Sequence, residues 1–512
     1  MHLVHLVHRA HLVSPAARHL RRPHTVVALM VPLLLSACAV GPNYVRPDMP
    51  APAAYKERDG WKHAQPQDAA LRGPWWTTYD DALLTSLVEE VSVSNQSLAQ
   101  AQARYRQARA IIDTARAGFY PKLGADLSVT RSGAGGRSGS SGISASTSTT
   151  ATTTATATSS QGATNSNGLK LDASWEPDLW GRVQRTVEAS RASAQATAGD
   201  LEATRLSAQA QLVLAYFALR TLDSEQQILE RTLVDYQRSV QLTQNQYDAG
   251  VVAKLNLVLA QTQLTSTQAQ LLDLGVQRAQ AEHAIAVLIG KTPAELSIAR
   301  APLRAVVPLI PVSMPSELLE RRPDIAAAER RVEAANAQIG VATAAYYPSL
   351  SLSAAGGAQS STVGKLLSLP NRFWSFGPAL AATLFDGGAR RAGVEQANAA
   401  HDGAIAAYRQ TVLTGFQEVE DNLAALRILE QEAVVQDEAL QLARRSVELT
   451  NNQYRAGIVT YLNVVQVQAT ALNTERSTLA LLNRRLVASV QLVKALGGGW
   501  NGPMLPAPAL AE

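Results

Sequence analysis

The chain holds a single cysteine, Cys38, in 512 residues, which excludes both a disulfide framework and a thiolate metal cluster. Histidine is nearly absent outside the first 24 residues. The three remaining, His63, His283 and His401, have no Cys, Asp or Glu at ligand spacing, so no metal site and no catalytic triad is expected. A surplus of one charge sign is lacking as well. Residues 1–37 contain Arg9, Arg18, Arg21 and Arg22 and no acid, and the rest of the chain carries 42 Lys+Arg against 42 Asp+Glu. That balance offers no basic surface to nucleic acid. Beyond residue 37 no run of 18 apolar residues occurs, so no helix long enough to span a bilayer is expected. A phosphate loop is missing too: Gly290-Lys291-Thr292 has Ile285 where the first glycine belongs and Pro293 where a helix should run. These absences leave enzyme chemistry without a foothold and no cofactor to expect. With 46% hydrophobic residues, however, the chain has ample material for a folded core.

The amino terminus reads as a targeting segment. Arg21-Arg22 precede an apolar run from Val26 to Leu35, which ends in Leu35-Ser36-Ala37-Cys38. A charged region, a short apolar stretch and small residues describe a secretory signal, residues 1–37. Leu-Ser-Ala-Cys resembles a bacterial lipobox. The resemblance implies cleavage before Cys38 and a covalent lipid there, a diacylglycerol thioether plus an N-palmitoyl chain. Ala39 after the cysteine, in place of Asp, fits sorting to the outer membrane.

The chain contains itself twice. Ser239-Val-Gln-Leu-Thr-Gln-Asn-Gln-Tyr247-Asp-Ala-Gly250 recurs as Ser446-Val-Glu-Leu-Thr-Asn-Asn-Gln-Tyr454-Arg-Ala-Gly457, and residues 239–264 and 446–471 share 14 identities in 26 positions. Phe119-Tyr120-Pro121 and Tyr346-Tyr347-Pro348 are a second echo. One supersecondary unit is used twice, with the copies packing as pseudo-equivalents. Each copy reads as a helix, a pair of strands and a very long helical hairpin.

Strict alternation marks the strands. Leu123, Ala125, Leu127 and Val129 alternate with Gly124, Asp126, Ser128 and Thr130; Leu169, Leu171, Ala173 and Trp175 alternate with Lys170, Asp172 and Ser174. The second copy offers Leu350, Leu352 and Ala354 among serines, then Trp374, Phe376, Leu380, Ala382 and Leu384. One apolar face and one small or polar face suits either a half-buried soluble sheet or a membrane barrel with a wet interior. Three features favour the barrel. Aromatics (Phe119, Tyr120, Trp175, Trp180, Tyr346, Tyr347, Phe373, Phe385) gather at strand ends, no apolar partner sheet exists, and the helices are too long for an ordinary globule. Between the first two strands, residues 132–168 are almost wholly Ser, Thr, Gly and Ala, which predicts a disordered surface loop.

From Leu179 to Tyr247 there is no proline, and a helix there would run roughly 100 Å. Leu222, Gln226, Leu229, Leu233, Tyr236, Val240, Thr243 and Tyr247 recur at steps of four and three, a coiled-coil seam, and Leu429, Ala433, Gln436, Leu440, Ala443, Val447, Thr450 and Tyr454 repeat it. Gly250 and Gly457 end these helices, and return helices are expected over about 254–289 and 461–496. Four strands cannot close a barrel, since about eight are the minimum. A barrel therefore requires two, three or four chains.

Cys38-Ala-Val-Gly-Pro42-Asn-Tyr44-Val-Arg46-Pro47, Trp75-Trp76, Arg322-Pro323-Asp324-Ile325 with Ala328-Glu329, and Tyr347-Pro348 resemble outer-membrane efflux lipoproteins of the NodT type, within the wider family of TolC and OprM. The likeness covers essentially the whole chain after the signal. It implies a mixed α+β membrane protein: a homotrimer whose four strands per chain complete a twelve-stranded barrel in outer-membrane lipid, continued by a coiled-coil helical tunnel into the periplasm. The implied organisation is an anchored extended segment over 38–78, a first repeat over 79–300 (hairpin 122–177, helical hairpin 178–289), a second over 301–496 (hairpin 348–385, helical hairpin 387–496) and a tail over 497–512. It also implies docking of a periplasmic adaptor at the tips bearing Gly250, Val251, Gly457 and Ile458, and a periplasmic aperture near Tyr454, Asn463 and Gln466. At the last two positions the family carries acids and this chain carries amides. The expected activity is passive export of drugs or toxicants with an inner-membrane transporter of the resistance-nodulation-division (RND) type. A duct for type I protein secretion is the alternative, and a coiled-coil structural lipoprotein with a soluble sheet belongs to a different class.

Overall fold

The computed structural model describes residues 39–49, 55–58, 73–132, 164–308, 310 and 321–498. The expected signal, Cys38 and residues 133–163 of the Ser/Thr-rich stretch lie outside them. The chain divides into two compact units: Met1–Val40, Lys122–Gln184 and Tyr347–Ala382 form one, and Gly41–Pro121, Arg185–Tyr346 and Thr383–Glu512 form the other.

The first unit is one antiparallel sheet in the order β1 (Lys122–Ser132), β2 (Thr164–Trp175), β3 (Ser349–Ser360), β4 (Arg372–Ala381). Register decides what each face is. Leu123 pairs with Ala173, Ala125 with Leu171 and Leu127 with Leu169; Leu171 then meets Gly356, and Ala173 meets Ala354, which meets Phe376. Directly opposed residues point to the same side of a sheet. The apolar sets of all four strands therefore merge into one band, with Gly124, Asp126, Ser128, Lys170, Asp172, Ser351, Ser353 and Ser375 on the other face. The band is bare in the single chain, where Leu123 is 84% and Trp374 83% exposed. At one end of the sheet Trp180 stacks on Tyr347 at 4.8 Å and donates from Nε1 to the Pro348 carbonyl at 2.7 Å, while Phe373 opens β4 at the opposite end.

Two strand limits differ from the sequence reading. β1 runs to Ser132 and β2 starts at Thr164, so the two ends of the supposed 132–168 loop belong to the sheet. Thr164–Asn167 are polar on both faces, and backbone pairing to Val129–Ser132 holds them without leaving any alternation in the sequence. β4 ends at Ala381, so Ala382, Leu384 and Phe385 follow the strand and do not extend it.

The second unit is helical. Where one helix was expected to lead the first copy there are two, α1 (Ala82–Ser94) and α2 (Gln96–Arg116), parted at Asn95. The Asn95 side chain caps α2 by accepting from Leu98 N at 3.0 Å and donates to the Leu288 carbonyl at 2.7 Å, so it favours a break over a continuous helix. The long helices are α3 (Arg182–Asp248) and α4 (Lys254–Leu288), then α5 (Pro323–Ala344), α6 (Ala389–Arg455) and α7 (Tyr461–Ala495). α3 and α6 have 67 residues each and α4 and α7 have 35, so the duplication is kept to the residue. Sixty-seven residues make a helix of roughly 100 Å. Among the described residues no helix is long and apolar enough to cross a membrane.

The core explains the motifs. Trp75, Trp76 and Tyr79 are buried with Leu84 and Val88 of α1, Tyr216 and Phe217 of α3, and Val490 of α7. Tyr79 lies edge-on to Phe217 at 4.9 Å, and its hydroxyl meets Ser489 Oγ at 2.8 Å. Arg322, ahead of α5, holds Asp324 with two bonds (3.0 and 2.6 Å), Glu418 of α6 at 2.5 Å and the Ala495 carbonyl of α7 at 3.3 Å. The Arg-Pro-Asp-Ile block is therefore a clamp on three helices. A strap after residue 40 lies along α5. Asn336 donates to the Pro42 carbonyl at 3.0 Å, Arg46 pairs with Glu329 at 3.1 Å, and Gly41, at φ +100°, approaches Gly340 so closely that a Cβ would overlap its Cα. Among buried charges, Asp223 accepts from Arg220 at 3.1 Å, from Arg278 at 2.7 Å and from Ala301 N at 3.1 Å, which fastens the extended segment after α4 across α3.

Candidate functional site

Both helical hairpins turn in the same way. Gly250 N bonds the Tyr247 carbonyl at 2.9 Å and Val251 N reaches back to Gln246 at 2.8 Å; Gly457 N bonds Tyr454 and Ile458 N bonds Gln453, both at 2.9 Å. This is the Schellman termination, which needs a left-handed residue, and both glycines sit at φ +74°. Nothing lies within 4 Å of a Cβ built on either, so glycine serves backbone conformation here and not close packing. The next residue is an exposed apolar one in each copy, Val251 at 71% and Ile458 at 72%.

The tips are tied together by tyrosines. The Tyr454 hydroxyl donates to Gln246 Oε1 at 2.6 Å, joining the last turn of α6 to that of α3, so the two tips emerge at one end of the helical unit. The Tyr454 ring lies 5.5 Å from that of Tyr461, which is buried at the start of α7 beside Ala260 and Val464. Gln263 of α4 donates to the Tyr236 hydroxyl at 3.1 Å. Burial raises the phenol of Tyr454 above the usual range and pushes Tyr461 up to about 12, against a hydrogen bond with Ser239 that favours the phenolate. Around this network, α3, α6 and α7 line an open pocket of about 480 Å³ bordered by Tyr236, Arg238, Arg444, Tyr454, Tyr461 and Glu475. Arg444 and Glu475 pair across it at 2.8 Å.

The seams hold the hairpins closed. Leu229, Leu233, Tyr236 and Thr243 are buried; in the second copy Leu429 and Leu440 are buried, and Ala433, Gln436, Ala443, Val447, Thr450 and Tyr454 are half-buried. Thr243 and Thr267 return their hydroxyls to the carbonyls of Ser239 and Gln263, at 2.8 and 2.9 Å, so they present a methyl surface to close neighbours.

Of the residues the sequence singled out, Gly250, Val251, Gly457 and Ile458 form the two turns, and Tyr454 stands one turn behind them. Asn463 and Gln466 are exposed on α7; Asn463 accepts from the Thr460 hydroxyl at 2.7 Å, as a first-turn bond of the helix. The structure does not bring these amides against Tyr454. Gln246, Tyr461 and Gln263 were missed, because a glutamine in a polar helix carries no periodic signal; Tyr461 was findable as the aromatic facing Tyr454 across a six-residue turn. Cys38 lies outside the described residues. His283 and His401 are far apart in sequence; His401 has Asp402 at 3.8 Å, and among the described residues no three His, Cys, Asp or Glu side chains gather as a metal site would need.

A sheet with an apolar band and two open edges, joined in one chain to paired 67- and 35-residue helices, fits a restricted set of known proteins. Residues 87–291 and 314–498 match the family described as outer membrane efflux protein. The chain is 32% identical to outer membrane protein OprJ of Pseudomonas aeruginosa, over 93% of this chain and 96% of that one. It is 29% identical to the cation efflux system protein CusC of Escherichia coli O6:H1, over 94% and 99% of the two chains. The solved outer-membrane channel OprN is similar with a TM-score of 0.78 and 31% identity, covering 90% of this chain and all of that one.

Proposed function

Since this chain belongs to the outer membrane efflux protein family, as the outer-membrane channel of a tripartite efflux pump, we propose that it is a homotrimeric exit duct for small molecules, worked by a periplasmic adaptor and an inner-membrane RND-type transporter. The observation that carries this reading is the sheet. Four strands of 10 to 12 residues suit a tilted crossing of the hydrocarbon layer, and their apolar band faces one way. β1 and β4 are long unpaired edges, which soluble proteins avoid. Three chains joined edge to edge give twelve strands and leave no edge.

The duct performs no reaction; energy comes from the inner-membrane partner. Cys38 carries the diacylglycerol thioether and N-palmitoyl chain, a reading supported by Leu35-Ser36-Ala37-Cys38 ahead of the strap. The exposed Val251 and Ile458, each held out by a rigid glycine turn, are the adaptor contacts. Tyr454, Asn463 and Gln466 border the aperture. Its opening is a two-state loosening of the tip helices that breaks the Tyr454–Gln246 bond and that the adaptor biases.

The test uses the lack of other thiols. With Cys38 lipidated, Ala456→Cys supplies the one free thiol of the exported chain, for crosslinking in intact cells. Capture of an adaptor that co-purifies with an RND transporter supports the proposal, and an ATP-driven exporter's adaptor replaces it with secretion. An extended soluble dimer, in place of a heat-modifiable trimer in detergent, sinks the duct itself.

A further inference from the structure

Between Asp248 and Asp273 the only charged residue is Lys254, and between Glu448 and Glu475 it is Arg455. The first five turns of α4 and nearly four of α7 thus carry no carboxylate pointing in any direction. Amides and hydroxyls stand there instead. On the exposed side of α7, Asn463, Gln466, Thr470, Asn473 and Ser477 follow one another at steps of three and four, one uncharged polar stripe down the helix.

Two of the four bordering carboxylates, Glu475 and Glu448, are matched by arginines, and Asp273, about five turns along α4, accepts from the Gln277 amide at 2.9 Å. Glu475 pairs with Arg444 at 2.8 Å and Arg231 at 3.6 Å, Glu448 with Arg445 at 2.7 Å, and Asp235 with Arg238 at 3.5 Å. Asp248 meets an amide, Gln244, at 2.8 Å. Lys254 and Arg455 are both exposed, and among the described residues neither makes an ion pair. Each chain therefore brings to the tip two cations free of ion pairs and, in Asp248, one such carboxylate.

We propose that the periplasmic mouth of this duct favours anionic and uncharged solutes over cations, so that its cargo class is anionic or neutral organic compounds and not metal ions. This deepens the duct reading and rests on it, since the tips must ring a lumen. It does not depend on which side of α4 or α7 faces that lumen, because the first turns of those two helices offer no carboxylate on any side, and Asp248 at the end of α3 is outnumbered by Lys254 and Arg455. A cation entering a narrow pore must exchange hydration for fixed negative groups. Amides present a donor and an acceptor alike and reward neither sign. Low-dielectric walls focus the field of Lys254 and Arg455, and three-fold assembly repeats each charge around the axis.

The test is ion selectivity of the purified full-length trimer in planar lipid bilayers across a potassium chloride gradient. The expected anion-to-cation permeability ratio is about two at 0.1 M salt, where a Debye length of ~10 Å leaves part of the lumen unscreened. Lys254→Gln alone should bring the ratio to about one, Lys254→Gln with Arg455→Gln, which leaves Asp248 unopposed, should carry it below one, and Asn463→Asp with Gln466→Glu should invert it. Hexamminecobalt(III) at micromolar concentration should block only the acidic pair, and should raise only that pair's melting temperature in detergent. Cation preference of the unaltered trimer, or its block by micromolar hexamminecobalt(III), overturns the inference and leaves the duct standing. Where the parent tip stays shut, the same ratios are read in the Tyr454→Phe background, and inserted trimers that pass no current even there count against the duct.

Discussion

The Tyr454 hydroxyl donates to Gln246 Oε1 across 2.6 Å, and this bond joins the two halves of a duplicated chain at the end where both hairpins turn. Tyr454→Phe keeps the ring against Tyr461 and removes only the bond, worth about 1 kcal/mol net. The expected outcome is a trimer of normal yield whose bilayer conductance rises several-fold. Conductance equal to the parent's would show that this bond does not restrain the tip.

Gly250→Ala and Gly457→Ala each force an L-residue into the left-handed region in open space, at a cost of roughly 1 kcal/mol. The Tyr454–Gln246 bond links the two turns, so the losses need not add, but each variant should lower the melting temperature of the detergent trimer and the double variant should lower it further than either. Ile458→Glu, on a side chain that is 72% exposed, should leave the melting point alone and abolish adaptor capture. A stability loss from Ile458→Glu would place that residue in the fold and not at a docking surface.

Removing the Arg322 guanidinium abandons Glu418 and Asp324 at the meeting of α5, α6 and α7. Arg322→Met should therefore destabilise by about 1.5–3 kcal/mol, the range for hydrogen bonds to charged groups, because the two carboxylates it leaves are 36% and 43% exposed and solvent screens them. The same neighbours raise its pKa above the ordinary arginine value against the opposing effect of burial, so lysine, with a single point charge, should rescue only in part. Protease resistance of the assembled protein reports the difference. Full assembly of the methionine variant would refute the clamp.

Buried phenols set the alkaline limit. Tyr216 is pushed up to about 12 by burial and by its acceptor Asp81, against the nearby Arg220, and Tyr461 reaches about 12 by burial. An unfolded tyrosine ionises near 10. Their contribution is fully present below pH 10 and is lost between pH 10 and 12, because the unfolded chain releases protons that the native one retains. Phenolate absorbance should show a group of tyrosines silent until the helices melt, and Tyr461→Phe should shrink it. Ionisation of every tyrosine near pH 10 in folded protein would contradict the burial.

The sequence showed much of this because its signals were periodic. Leu229, Leu233 and Tyr236 lie in the core because a seam at steps of three and four must bury something. The strands at 123–129 and 169–175 alternate because one face meets lipid and the other water. Where polar residues fill both alternating sets of positions the signal vanishes, as at Thr164–Asn167, which pair with β1 although their composition reads as loop. A deletion of the whole 132–168 stretch would cut into two strands; one confined to 136–160 would not. The site was less legible. Gly250 and Gly457 stood out through duplication, but Gln246 acquires its role only from a helix 208 positions away, and no local pattern encodes such a partner. Arg322 was conspicuous as a motif, while its reason, three helices converging on one guanidinium, is tertiary.

The unpaired edges β1 and β4 have a genetic consequence. A ring closed by three identical head-to-tail joints has no spare joint, because every chain supplies a β1 to one neighbour and a β4 to the other. A chain altered so that one edge cannot pair spoils every assembly it enters. When it is made in equal amount with the intact chain, random mixing leaves only about one ring in eight free of it. Edge-strand changes such as a proline at Val129 should therefore act dominantly over the intact gene copy. Lesions that unfold the whole chain never reach the ring and should be recessive.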